Sequence, residues 1–144
     1  MDANGVTQLY NAQLRDLAAE TSEPYRLENP DITETCVSVI CGSSVTIDLK
    51  VEKSHILDIG YDIDGCNLTK ASMAILKNCA LGKGHSDIQN ALTSLENILT
   101  ANGPLPDNEW KKMAVLEPAR DYTARHDTIL LPFRTTLKAL ESLK

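Results

Sequence analysis

No stretch of this 144-residue chain approaches the ~20 consecutive apolar residues that a membrane-spanning helix requires. The first segment also lacks the hydrophobic region of a secretory signal peptide. Positive charge is short: 14 lysines and arginines against 20 acidic residues leave a net charge of -6. That balance argues against a nucleic-acid partner, because phosphate contacts need a basic surface. Cysteine is limited to four residues, and without a secretory signal these read as thiols or metal ligands rather than as a disulfide framework. Internal repeats and low-complexity tracts are absent too. The expectation is therefore a cytoplasmic protein that meets neither nucleic acid nor membrane. Its hydrophobic content of 42% is ordinary for a globular chain, and its length suits one domain over residues 1–144 with one sizeable core.

Two chemical signatures are missing as well. Gly82-Lys83-Gly84 lacks the upstream glycine and the following hydroxyl of a phosphate loop, so it reads as a helix–helix turn. Asp62-Ile63-Asp64-Gly65 lacks the remaining acidic positions of a calcium loop, so it reads as the acidic face of a strand. No Ser-His-Asp set or carboxylate pair stands out, and a catalyst in its own right is not expected. His55 and His85 fall in turns and read as solvated.

The patterning that is present orders strands before helices. Residues 6–20 carry Leu9, Leu14, Leu17 and Ala18 at helical spacing. Residues 21–34, with two prolines, read as an extended connector. Three runs of period two follow: Thr35–Ile40; residues 45–52, with Val45, Ile47, Leu49 and Val51 on one face; and residues 55–64, with Leu57, Ile59, Tyr61 and Ile63 inward and Asp58, Asp62 and Asp64 outward. The joints at Gly42-Ser43-Ser44 and Lys53-Ser54 are short, as in an antiparallel meander. A helix is expected over Asn67–Ala80, stopped near Gly82. Ser86 and Gln89 suggest a capping box opening a second helix, with Ile88, Leu92, Leu95 and Leu99 inward. A short segment around Trp110–Leu116 precedes a last helix from about Arg125 to Leu143, which Pro132 could bend. The fold class is α+β: a three-stranded antiparallel sheet with helices mainly on one face.

This topology sorts the cysteines. The turn after the first strand and the end of the third lie at one edge of the sheet, so Cys41 and Cys66 are neighbours in space. Cys36 lies roughly 17 Å from Cys41 along an extended chain and points to the opposite face. Cys79 lies about 20 Å from Cys66 along the helix. Both read as core or half-buried residues. Gly65 permits a sharp exit from the strand. Cys66 then stands at a helix N-terminus, where the dipole and free N–H groups favour a thiolate. From these residues alone, a functional dithiol or metal site and two unremarkable loop cysteines are both open.

Cys41-Gly42-Ser43, then Gly65-Cys66-Asn67-Leu68-Thr69-Lys70-Ala71-Ser72, then Gly82-Lys83 together resemble the U-type iron–sulfur scaffolds SufU, IscU and the N-terminal domain of NifU. Asn29-Pro30 matches the approach to that family's first strand. Arg120-Asp121-Tyr122-Thr123-Ala124-Arg125 with Leu131-Pro132-Phe133 resembles the segment around the third cysteine of the SufU branch. The long stretch between Cys66 and that segment favours SufU over IscU, whose Leu-Pro-Pro-Val-Lys motif is absent. The resemblance spans about residues 24 to 140.

In that family an aspartate and three cysteines surround the metal. Here Ser43 stands at the aspartate position and Thr128 at the third cysteine, and hydroxyls rarely bind zinc or iron. Asp127 and His126 are the substitutes at hand. The resemblance implies a scaffold or sulfur acceptor in iron–sulfur cluster assembly. Cys41 would accept persulfide sulfur from a cysteine desulfurase, and Cys41 and Cys66, with Asp127 or His126, would hold zinc, iron or a transient iron–sulfur cluster. Apo iron–sulfur proteins would be recipients. The competing readings are a metal-free module that binds and regulates the desulfurase, and a small structural zinc protein.

Overall fold

A computed structural model describes residues 11–40 and 42–143; residues 1–10, Cys41 and Lys144 lie outside the described residues. The first described helix, α1, is Ala12–Ala19. Asn11 caps it by accepting the Leu14 N–H at 2.9 Å, and Leu14, Leu17 and Ala18 are buried as their spacing predicts. Leu9, expected on the same stripe, lies outside the described residues.

Strands β1 (Ile32–Ser38), β2 (Ser43–Glu52) and β3 (His55–Asp64) form one antiparallel sheet in the order β1-β2-β3, the meander the short joints predict. β1 starts earlier than its patterning suggests and stops two residues sooner. Ser38 pairs with Ser43, and the Gly42 N–H closes the reversal onto the Ser38 carbonyl at 2.8 Å. Val39 and Ile40, although β-branched, are therefore spent in the turn, 90% and 67% exposed. Lys53 and Ser54, both at positive φ, make the two-residue β2–β3 turn with the twist that suits a hairpin.

Val45, Ile47 and Leu49 are buried on one face of β2. Across from them the inward set on β3 needs one correction. The register slips between Lys50 and Val51, with Lys50 opposite Asp58 but Val51 opposite Ile56. Leu57 is the extra residue, so it turns outward at 56% exposure while Ile56 is buried. A bulge resets the two-residue period, and patterning alone carries no mark of it. Beyond the bulge Ile59 and Tyr61 face in as expected.

Helices α2 (Asn67–Cys79), α3 (His85–Thr100) and α4 (His126–Ser142) follow; α4 packs on β1 and β2 and on both other helices, α2 touches β3, and α3 packs behind α4. α3 begins one residue before Ser86. Its N-terminus is closed by the Gly84 N–H donating to Asp87 at 2.9 Å, not by a Ser86–Gln89 box. Between α3 and α4 the chain runs as 3-10 helix over Lys111–Asp121 and Thr123–Arg125, longer than the short segment expected. Trp110 anchors it against Phe133, with ring centroids 5.7 Å apart. Pro132 lies inside α4, where it cannot donate to the Thr128 carbonyl four residues earlier.

The other sheet face carries a buried charge. Asp48, with a side chain 0% exposed, accepts from Arg26 Nε at 2.7 Å and Nη2 at 3.0 Å, from Thr33 Oγ1 at 2.6 Å and from the Leu27 N–H at 3.1 Å. The connector reaches it by crossing Gly60, where an added Cβ would stand 2.7 Å from the Tyr25 carbonyl oxygen. No helix among the described residues is long and apolar enough to cross a membrane.

Candidate thiol site

Cys66 is placed by three local facts. Ser44 pairs with Asp64, so the start of β2 and the end of β3 share an edge. Gly65 follows, and a Cβ there would meet Thr69 Oγ1 at 2.9 Å and Ser43 Oγ at 3.1 Å, so only glycine passes without displacing them. Cys66 is then the N-cap of α2, in extended backbone, and its side chain makes no capping bond. It is half-buried and leaves its sulfur 3.7 Å from Thr69 Oγ1.

From Thr69 a chain of hydroxyls runs inward. Thr69 Oγ1 and Thr128 Oγ1 are 2.5 Å apart, and Thr128 donates to Ser43 Oγ at 2.7 Å. A hydroxyl has one proton. With that of Thr128 given to Ser43, Thr69 is the donor to Thr128, and its lone pairs face the Cys66 thiol. Thr69 and Thr128 are 0% exposed and Ser43 is 3% exposed. Just behind them Ser72 Oγ donates to the Ile129 carbonyl at 2.6 Å. The first turns of α2 and α4 and the first residue of β2 are thereby tied at one point. Patterning did not single out Thr69. Its signal is the i, i+3 spacing from Cys66, which puts both on one side of the first helical turn.

The remaining candidates fall around this chain. Cys41 lies outside the described residues, between Ile40 and Gly42. Asp127 has both carboxylate oxygens engaged: Ser38 Oγ donates to one at 2.6 Å and Arg134 Nη1 to the other at 2.7 Å. His126 Nε2 sits 3.1 Å from the Ala119 carbonyl and 2.9 Å from that of Arg120. Both partners are carbonyl oxygens, so Nε2 is the donor. Cys36 is half-buried opposite Val45 and packs on the core. Cys79 donates to the Glu109 carbonyl at 3.0 Å; burial chiefly, then the Glu109 charge, pushes its thiol pKa up, which makes it a poor nucleophile. His85 is not simply solvated, since Nε2 meets Glu141 Oε2 at 3.0 Å.

Among the described residues no three His, Cys, Asp or Glu side chains are grouped to hold a metal ion. No buried side-chain oxygen or nitrogen among them lacks a hydrogen-bond partner. Among the described residues the site offers one thiol, Cys66, beside three mutually satisfied hydroxyls, and hydroxyls are poor ligands for zinc or iron compared with thiolate, imidazole or carboxylate.

Comparison with known proteins places this geometry. The family model for the NifU-like N-terminal domain matches residues 12–123. A curated relative, the iron–sulfur cluster assembly scaffold protein IscU of Thermotoga maritima, is 21% identical over 135 residues, 94% of each chain. The crystal structure of a NifU-like protein (N-terminal) from Brucella abortus superposes with a TM-score of 0.90 at 28% identity over 96% of each chain. That of a putative SUF-system scaffold, SufU from Fervidobacterium islandicum, superposes with a TM-score of 0.83 at 21% identity, covering 93% of this chain and 98% of the other. With the family model matched from α1 through the 3-10 segment, this protein belongs to the NifU-like N-terminal domain family of iron–sulfur assembly scaffolds.

Proposed function

We propose that this chain serves iron–sulfur cluster assembly as a sulfur acceptor for a cysteine desulfurase, with Cys41 taking the sulfur and Cys66 beside it. The observation that carries the proposal is Cys66 itself. Its side chain is committed to no capping bond, and it follows β3 at the sheet edge where β2 begins. The chemistry is thiol–persulfide exchange. A Cys41 thiolate attacks the terminal sulfur of the donor cysteine persulfide; the donor S–S bond breaks, a new one forms on Cys41, and the donor leaves as thiolate. Passing the sulfur on to an apo iron–sulfur protein or another thiolate is the same exchange again.

The same reading has zinc or iron held through Cys41 and Cys66 with Asp127 or His126, the cluster being a transient cargo. That set asks Asp127 to release Ser38 and Arg134, or His126 to present Nδ1. The satisfied hydroxyls of Ser43, Thr69 and Thr128 favour a second reading, a metal-free module that binds and regulates the desulfurase. Incubation with a cysteine desulfurase and 35S-cysteine separates the two. Under the acceptor reading the chain gains thiol-labile label that Cys41→Ser abolishes and Cys66→Ser diminishes. No label in wild type, with desulfurase binding intact in both variants, would leave the regulatory module.

A further inference from the structure

We infer that Ser43, Thr69 and Thr128 act as a lock that keeps metal off Cys66, so that sulfur handled at this site stays on thiol as persulfide and is not built into a cluster. The inference rests on the acceptor reading above and restricts it to the metal-free half of the chemistry.

Spacing decides the point. A tetrahedral ion with oxygen ligands about 2.0–2.2 Å away holds those ligands about 3.4 Å from one another. The Thr69–Thr128 and Thr128–Ser43 oxygens are 2.5 and 2.7 Å apart, the separation of hydroxyls bonded to each other and too short for co-ligands. Opening the chain to admit an ion would strand buried hydroxyls, because all three are almost fully enclosed. In return the ion would gain only neutral oxygens, which it binds weakly. The lock is also placed where the ion would have to be. Thr69 sits against Cys66 Sγ, and Ser43 and Thr128 stand where the sequence resemblance alone expects an aspartate and a cysteine. The two substitute ligands considered above are engaged elsewhere, Asp127 with Ser38 and Arg134 and His126 with carbonyls of the 3-10 segment. No step on persulfide sulfur needs the ion: exchange onto a thiolate conserves charge and electrons, with the donor thiolate as leaving group.

The test compares wild type, Ser43→Asp/Thr128→Cys, and the same pair with Cys66→Ser, each reduced, stripped with a chelator, refolded with zinc and gel-filtered. Wild type is expected to retain almost none, the double variant about one zinc per chain, and the triple variant to lose most of it, as an aspartate, two thiolates and Cys41 would dictate. Cobalt substitution should give thiolate-to-metal absorption in the double variant alone. Zinc retained by wild type and lost on Cys66→Ser would overturn the lock. A double variant that retains none when refolded with zinc would overturn it as well, since the hydroxyls would then not be what excludes the ion. Sulfur labelling on the same wild-type preparation reads out separately: zinc excluded but no label taken up sinks the acceptor reading and leaves the lock standing.

Discussion

Among the described residues Asp48 is the one fully buried carboxylate. Burial alone would raise its pKa. The hydrogen bonds from Arg26, Thr33 and the Leu27 N–H, together with the Arg26 charge, outweigh burial and hold it below the ordinary carboxylate value. A depressed folded-state pKa means that the unfolded chain binds the proton more readily. The stabilisation is therefore fully present above the unfolded value near 4 and is lost as pH falls through the folded value. Asp48→Asn keeps the shape but removes the charge, and should cost about 1–3 kcal/mol at neutral pH, as for one buried charged acceptor with several donors. Urea melts at pH 7 and pH 3 check both parts: the wild-type advantage over the variant should shrink at the lower pH. An equal gap at both would mean that Asp48 is not what titrates. The pair with Arg26 spans 22 residues of sequence, and no local pattern announces it. The sequence shows only an aspartate in mid-strand.

At the scale of elements, the sheet and connector are held together by a missing side chain. Gly60 lies opposite Asp48, and the connector backbone passes over it, with the Tyr25 carbonyl and Leu27 nitrogen closer than any Cβ would allow. Both obstacles are backbone, which cannot rotate away. Gly60→Ala should therefore cost about 1–3 kcal/mol. It should also speed hydrogen exchange at the Leu27 amide, which bonds Asp48. A variant as stable as wild type, with unchanged exchange, would mean that the connector is not clamped there. Much of this scale was legible beforehand. Apolar alternation located β2, and helical spacing located α2, α3 and α4 to within a residue or two, because burial of a face imposes its period directly on the chain. The outward turn of Leu57 was not legible, because a bulge is decided by the pairing of two strands. The capping of α3 by Gly84 and Asp87 was missed for a related reason: Ser86 and Gln89 match the capping pattern equally well, and only the path of the turn selects between them.

For the whole molecule, the question is whether the fold depends on metal. One buried cluster runs from Leu14 and Ile47 through Leu68 and Met73 to Phe133, and the hydroxyl chain ties β2, α2 and α4 without an ion. A small zinc domain unfolds when its metal is stripped. This chain should not: thermal melts with and without a chelator are expected to coincide. A loss of more than about 4 °C on stripping would instead indicate a metal that contributes to folding, and would favour the structural zinc reading.

The sequence by itself determined the α+β class and the meander, and it carried the motifs on which family membership rests. Those properties follow from local periodicity and from short motifs that a chain carries in order. It also placed Cys66 at the start of a helix and flagged Ser43 and Thr128 as departures. What those two residues do was decided only by the tertiary structure. Eighty-five residues separate them, and Thr69 joins them from a third element. Their hydrogen bonds exist only where β2, α2 and α4 converge. Hydroxyls are equally at home in solvent, in caps and in buried chains, so their role is set by what packing brings within 3 Å, which no reading along the chain can supply.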